Sequence, residues 1–147
     1  MFKKNFLKEK KGITLIELLV VVAIVGLLAA IVIPKYGELL EKANLAATLG
    51  NLSTLRSVVS IYYGNYLAYP DTIDPDKNSL MKDIMPASVP YVKAHYPYNH
   101  SPFGNEITAG NAAPTEMGKG WYYNYTNGNV YINSIAKDIK GNIYSTY

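Results

Sequence analysis

Residues Lys10–Tyr36 read KKGITLIELLVVVAIVGLLAAIVIPKY, and this stretch decides the fold. From Leu18 to Ile33 no residue has a polar side chain, and about 20 apolar residues suffice for a helix to cross a bilayer. A single carboxylate, Glu17, stands at the start of the run. On insertion scales a charge at membrane depth costs roughly 2.5–3.5 kcal/mol. The sequence therefore predicts a membrane-spanning helix in which Glu17 has a partner or a function.

The positive charge of the chain is concentrated before this helix. Residues 1–12 contain five lysines and one glutamate, whereas the whole chain has a net charge of only +3. The basic block therefore does not indicate a nucleic-acid-binding face on the folded part. Lysines beside a span stay in the cytoplasm, so we expect everything after about Pro34 to lie outside. The chain has no cysteine, so the exported part must fold without disulfides.

After Pro34 the apolar residues adopt the spacing of one helical face. The members of this face are Leu45, Leu49, Leu52, Leu55, Val59, Tyr62 and Tyr66. Proline lacks an N–H donor and crowds the preceding turn, so we expect Pro34 to kink the helix. The pattern predicts one long helix from about Thr14 to about Leu67, with an apolar first half and an amphipathic second half.

The remaining residues predict a small β-rich head. Residues 70–118 indicate an irregular connection with a short helix at Ser79–Met85, and a loop of this length is expected to contain a further strand or turn. The clearest β pattern is GWYYNYTNGNVYINS, Gly120–Ser134, which predicts a hairpin around Asn127-Gly128. A third strand is predicted at 139–144.

Patterns typical of enzymes and metal sites are weak in this sequence. The segment 74–85 begins like an EF-hand loop but lacks the required glycine and the final glutamate. His95 and His100 have no cysteine or acidic cluster beside them, so zinc is disfavoured. The nucleophile elbow of hydrolases is absent from the sequence. We therefore predict neither catalysis nor a bound cofactor.

Two features suit packing between copies of the chain. Gly26 and Ala30 form a small-xxx-small pair inside the apolar run, which allows helices to approach closely. The chain also has fourteen tyrosines against three phenylalanines. Tyrosine combines a large stiff ring with a polar tip, so we interpret this bias as core and subunit interface.

Taken together, the stretch Lys10–Pro34 closely resembles the N-terminus of type IV pilins and of type II secretion pseudopilins. The resemblance implies that a prepilin peptidase cuts between Gly12 and Ile13 and that the new amine of Ile13 is methylated. The family most often has phenylalanine at that first position, where this chain has isoleucine. The resemblance also implies that Glu17 pairs with the Ile13 amine of an adjacent subunit during assembly.

The resemblance implies an α+β, pilin-like fold in which a long N-terminal helix packs on a small antiparallel β-sheet. Gly26 and Pro34 match positions where the family helix loosens or kinks. The expected organisation has four parts: a removed leader at 1–12, a hydrophobic transmembrane and filament-core helix at 13–34, an amphipathic helix at 35–68, and a β-rich globular head at 69–147.

The implied function is structural and not enzymatic: the processed subunit polymerises into a helical filament. Before assembly it would span the inner membrane once, with its N-terminus in the cytoplasm. It would then enter a periplasmic or extracellular filament. The implied partners are copies of itself, minor pilins or pseudopilins, prepilin peptidase, an inner-membrane platform protein and a cytoplasmic assembly ATPase. No specific nucleic acid is indicated.

Two kinds of filament remain open. The absence of cysteine removes the disulfide loop common in many pilins and favours the major pseudopilin of type II secretion or a cysteine-free pilin. That pseudopilin carries calcium near its C-terminus, where this chain offers only the weak candidates Asp138 and Asn142, which favours a pilin for adhesion, motility or DNA uptake. An uncut single-span protein with an outward head that binds a partner or cell-wall glycan is the next alternative. An enzyme is the least favoured alternative.

Overall fold

The computed structural model describes residues 12–147, apart from the side chain of Tyr98, so the predicted leader lies outside the described residues except for Gly12. Its helices and strands, in chain order, are α1 (Leu15–Tyr66), α2 (Ser79–Ile84), β1 (Ile107–Gly110), β2 (Met117–Asn124) and β3 (Val130–Ser134). Short 3₁₀ turns lie at Tyr98–His100 and Tyr144–Thr146. The chain divides into two units, one ending at Gly37 and the other spanning Glu38–Tyr147. The predicted α+β architecture, a long helix followed by a small sheet, is confirmed.

The amphipathic part of α1 provides one side of the core in the second unit. The buried members of the predicted face are Leu45, Leu52, Leu55, Val59 and Tyr62. They form one cluster with Trp121 and Tyr123 of β2 and with Val130 and Ile132 of β3, because alternate residues of a strand point to the same face. Each large apolar side chain buried in this way contributes roughly 1.5–3 kcal/mol. Tyr66, the last residue of the predicted face, is exposed instead.

The sheet has the order β1-β2-β3 and is mixed. β2 and β3 form the predicted antiparallel hairpin, with Tyr122 opposite Tyr131. β1 pairs parallel to β2, with Ile107 opposite Trp121. The prediction of an antiparallel sheet therefore holds for the hairpin alone. β1 is the further strand that we expected inside the irregular connection.

The hairpin turn depends on glycine. Gly128 has a positive φ of 73°, a conformation that other residues rarely adopt. A Cβ at this position would also lie 2.3 Å from a ring carbon of Tyr69. The turn therefore needs glycine both for its backbone and for the close approach of Tyr69.

The third strand predicted at 139–144 is wrong. Here the Asp138 carboxylate accepts the backbone N–H groups of Lys140 and Asn142, both at 2.8 Å. Only one isolated bridge, between Lys137 and Ile143, remains of strand pairing in this segment. Side-chain hydrogen bonds to nearby backbone compete with sheet formation, and here they fold the segment into a turn. The short helix predicted at Ser79–Met85 is present as α2.

A segment that we call the strap, Tyr91–His95, lies along α1. Three polar side chains of α1 bond its backbone: Thr48 with Lys93 N (2.8 Å) and Ala94 N (3.0 Å), Glu41 with His95 N (3.3 Å), and Asn51 with the Tyr91 carbonyl (2.8 Å). Later helix residues contact earlier strap residues, so the strap runs antiparallel to α1. Val92 and Ala94 are buried, whereas Tyr91 and Lys93 are exposed.

Candidate assembly site

Reciprocal hydrogen bonds between Thr14 and Glu17 close the first turn of α1. The N–H and the hydroxyl of Thr14 both donate to Glu17 Oε2, each at 2.8 Å. In return, the N–H of Glu17 donates to the Thr14 hydroxyl at 3.3 Å. This arrangement is a capping box, which provides partners for N–H groups that a helix N-terminus leaves without them. It also places the carboxylate where the helix dipole favours negative charge.

Glu17 was predicted from the sequence to have a partner or a function, whereas the capping role of Thr14 was missed. The signal was present, because a threonine three residues before a glutamate and ahead of an apolar run is a capping-box pattern. Ile13 directly precedes the cap in the chain. An amine created at Ile13 would therefore begin next to Thr14 and within one helical turn of Glu17.

The apolar part of α1 is uncovered. The large aliphatic side chains from Ile13 to Ile33 are between 48 and 82 % exposed. By length and composition this helix is long and apolar enough to cross a membrane. A contiguous apolar surface of this size requires lipid or other protein to cover it.

Gly26 and Pro34 both lie inside α1, which runs through the proline without ending. A Cβ placed at Gly26 would meet nothing within 4 Å, so the glycine leaves an open place on the helix surface where a second helix can approach. The kink at Pro34 stays a prediction.

The two weak calcium candidates lie side by side. Asp138 is 2 % exposed and accepts the N–H groups of Lys140 and Asn142 together with the Tyr147 hydroxyl. Burial would raise the pKa of Asp138, but these hydrogen bonds and the positive charge of Lys140 outweigh it, and the pKa lies below its usual value. The carboxylate oxygens of Asp138 therefore already accept hydrogen bonds from donors within the chain. The expectation of no bound metal, with Asp138 and Asn142 as weak calcium candidates, stays a prediction.

The other polar candidates do not form a site. The His95 ring lies 2.7 Å from the Lys93 carbonyl, and the His100 ring lies 2.6 Å from the Asn99 carbonyl. Within residues 12–147, no group of three or more His, Asp or Glu side chains is arranged to hold a metal ion.

Comparisons with known proteins match part of the chain. A family model described as the prokaryotic N-terminal methylation motif matches residues 7–33. A type IV major pilin protein PilE1 of Neisseria gonorrhoeae is 39 % identical over 75 residues, which are 51 % of this chain and 35 % of that pilin. The type II secretion system core protein G of Pseudomonas aeruginosa is 34 % identical over 65 residues, which are 44 % of this chain and 46 % of that protein. The methylation-motif model and these relatives support the predicted resemblance to the type IV pilin and pseudopilin family.

The similarity covers only part of each protein. The matched stretches span between about a third and a half of the relatives' own length, and a fimbrial protein of Pseudomonas aeruginosa, 43 % identical over 51 residues, is covered to 33 %. No solved structure gives a significant match. Gly12, Ile13, Glu17 and Gly26 all lie within the residues matched by the methylation-motif model, and Pro34 follows directly after them. The relatives named here are pilins, a fimbrial protein and a secretion-system core protein.

Proposed function

We propose that this chain is the subunit of a type IV filament, cut between Gly12 and Ile13, methylated at the Ile13 amine and polymerised through its apolar helix. One observation carries the proposal: Glu17 is held by Thr14 at the start of an exposed apolar helix, within one turn of Ile13. A charge in an apolar core is costly unless it meets an opposite charge. The Ile13 ammonium of a neighbouring copy would supply that charge.

In this proposal Glu17 sets the stagger between neighbouring subunits. The ammonium and the carboxylate meet at only one axial offset of two parallel helices, and other offsets leave both charges without a partner in apolar surroundings. Before assembly the subunit would wait in the inner membrane, with hydrogen bonds from Thr14 to the Glu17 carboxylate but no opposite charge beside it. Prepilin peptidase, a platform protein and an assembly ATPase would act on it there.

The glutamine variant separates the charge of Glu17 from its capping role. Glutamine at this position keeps the capping box but removes the negative charge. We expect Glu17→Gln to be processed normally while the yield of sheared filaments falls at least tenfold, and Glu17→Ala to behave similarly. Quantifying processed subunit in the cells and in the sheared fraction provides the test. A normal filament yield from Glu17→Gln would contradict the register role.

A second variant tests the processing site. Gly12→Glu places a charged side chain at the residue before the proposed cut, so we expect the full-length chain to remain in the membrane. The intact mass of the membrane-extracted protein gives the answer. A shortened product from Gly12→Glu would place the cut elsewhere.

Two uses of the filament are candidates. A surface pilus is supported by a type IV major pilin and a fimbrial protein, which are 39 % and 43 % identical to this chain over the matched residues. A secretion pseudopilus is supported by core protein G, for which the match covers 46 % of the relative's length. The location of the processed subunit separates them, since shearing releases a pilus from cells and leaves a periplasmic pseudopilus behind.

A further inference from the structure

Leu67, the residue that follows α1, combines two unfavourable features. Its φ is +54°, a left-handed conformation that no other non-glycine residue among residues 12–147 adopts. This position after a helix usually belongs to glycine or asparagine. Its side chain is also 80 % exposed. Strained backbone conformations persist only where the surrounding structure maintains them, and they cluster at functional sites. An exposed leucine on such a turn is suited to anchor a partner.

Leu67 lies in an aromatic surface that we call the distal patch, formed by Tyr63, Tyr66, Leu67 and Tyr69. Each of the three tyrosines is about two-fifths exposed. The rings of Tyr63 and Tyr69 pack with centroids 4.7 Å apart, and Tyr66 packs on Tyr62 at the same distance. The rings are therefore held in place before any partner binds. The sequence from Ile61 to Pro70 has no charged residue, and the exposed Asp71 follows it.

A second exposed aromatic surface lies on the strap. Phe103 stacks on the His95 ring with centroids 4.4 Å apart and packs against Tyr91 at 5.6 Å. Lys93, exposed between Tyr91 and His95 in the chain, adds a positive charge. We call Tyr91, Lys93, His95 and Phe103 the strap cluster. It is anchored to α1 through the bonds that Thr48 makes with the strap backbone.

We infer that the distal patch of one copy docks on the strap cluster of a second copy, with Leu67 as the anchor. The inference rests on the proposed filament function. Contact between two different surfaces of the same chain continues from copy to copy and builds an open filament, whereas a patch that binds itself closes a dimer. The charges agree with this choice, because Asp71 beside the distal patch would meet Lys93, while self-association would bring two Asp71 side chains together.

The composition of both surfaces suits such a contact. Tyrosine and other aromatic residues are enriched at the buried centres of protein interfaces, where they contribute most of the binding energy. Stacked rings lose little freedom on binding, because their neighbours already fix them. In the proposed interface Leu67 would pack against the exposed faces of Tyr91, His95 and Phe103, and the rest of the turn would maintain the strain at its backbone.

Leu67→Asn and Leu67→Gly separate assembly from stability. Both residues accept a positive φ more readily than leucine, so the melting temperature of the detergent-solubilised full chain should be unchanged or higher. The yield of sheared filaments should fall at least fivefold. Leu80→Asn, at an exposed leucine outside both surfaces, should leave the yield unchanged. A normal yield from both Leu67 variants overturns the inference, and so does a loss of yield matched by a loss of melting temperature.

Cysteine cross-linking tests the contact itself, because the chain has no cysteine of its own. Copies carrying Leu67→Cys and copies carrying Phe103→Cys are expressed together, and filaments are oxidised. The expected result is a covalent dimer that forms only when both variants are present and not with either variant alone. If the wild-type chain forms filaments and the co-expressed cysteine variants give no cross-link between residues 67 and 103, the proposed contact is overturned and the filament function stands. Absence of filaments from the wild type would instead refute the proposed function.

Discussion

Thr14 and Glu17 are bonded to each other across the first turn of α1, with two Thr14 donors each 2.8 Å from the same carboxylate oxygen. The carboxylate is therefore oriented before any neighbour arrives. Only one of its oxygens is used in these two bonds, which leaves the other for the ammonium of a second copy in the proposed filament. In the proposed filament, the Glu17 side chain would thus cap its own helix and also set the axial offset of the neighbouring subunit.

Thr14→Val should loosen the first turn of α1. Valine keeps the shape but loses the hydroxyl that donates to Glu17 and accepts its N–H, and loss of an N-cap side chain costs about 1 kcal/mol. We expect the amides of Glu17 and Leu18 to exchange about fivefold faster with solvent in the detergent-solubilised chain. Thr14→Ser, which keeps the hydroxyl, is the matched control. Equal exchange rates in the valine and serine variants would rule out the capping role.

Thr48→Val should destabilise the head because it disconnects the strap. The fully buried Thr48 hydroxyl accepts two strap N–H groups and donates to the Asn44 carbonyl. Leaving buried donors without partners costs about 1–3 kcal/mol each, so a loss of about 2–4 kcal/mol is expected in denaturant unfolding. Thr48→Ser removes only a methyl group and should lose about 1 kcal/mol. Similar losses for the two variants would contradict the account of the strap.

The stability of the head should fall in acid through Asp138. Its pKa in the folded chain is below the usual value because the hydrogen bonds from Tyr147 and two backbone amides outweigh burial. On unfolding the pKa returns to about 3.9. The unfolded state therefore takes up a proton first as the pH falls. The stabilisation by Asp138 is complete above about pH 5, declines as the pH falls through about 4, and is lost once the pH lies below the folded-state pKa as well.

Asp138→Asn provides the comparison for this pH dependence. The variant should be less stable than the wild type at pH 7, and the difference in melting temperature should shrink as the pH is lowered to about 3. Glu116→Gln, at an exposed position, should leave the acid profile as it is in the wild type. A wild-type profile that runs parallel to that of Asp138→Asn down to pH 3 would show that Asp138 does not contribute.

The long helix and the hairpin were predictable because their patterns are local. The helical face from Leu45 to Tyr62 is visible within a few turns, and the alternation around Asn127-Gly128 is visible within a few residues. Neither pattern depends on distant parts of the chain. Glu17 stood out for a similar reason, as a charge within an apolar run. Thr14 was missed although the capping-box spacing was visible. The capping role of Thr14 therefore needed no tertiary information.

The features that escaped prediction depend on distant partners or on competing local bonds. A further strand or turn was expected between residues 70 and 118, but its position was not, because β1 has only four residues and its partner in β2 lies fourteen positions further along the chain. The Thr48 hydroxyl accepts the N–H of Lys93, which lies 45 residues further along the chain, and no spacing pattern in the sequence indicates this contact. Conversely, the strand predicted at 139–144 is replaced by the turn around Asp138, because a carboxylate within reach of two backbone amides outcompetes strand pairing.

Intact mass and N-terminal sequence of the natural protein, measured in material sheared from cells and in the inner membrane, test the central claim most directly. The account predicts a chain that begins with methylated Ile13. Its presence in the sheared fraction indicates a surface pilus, and its confinement to the membrane fraction indicates a secretion pseudopilus. A chain that still begins at Met1 in both fractions would contradict the filament account and leave an uncut single-span protein with an outward binding head.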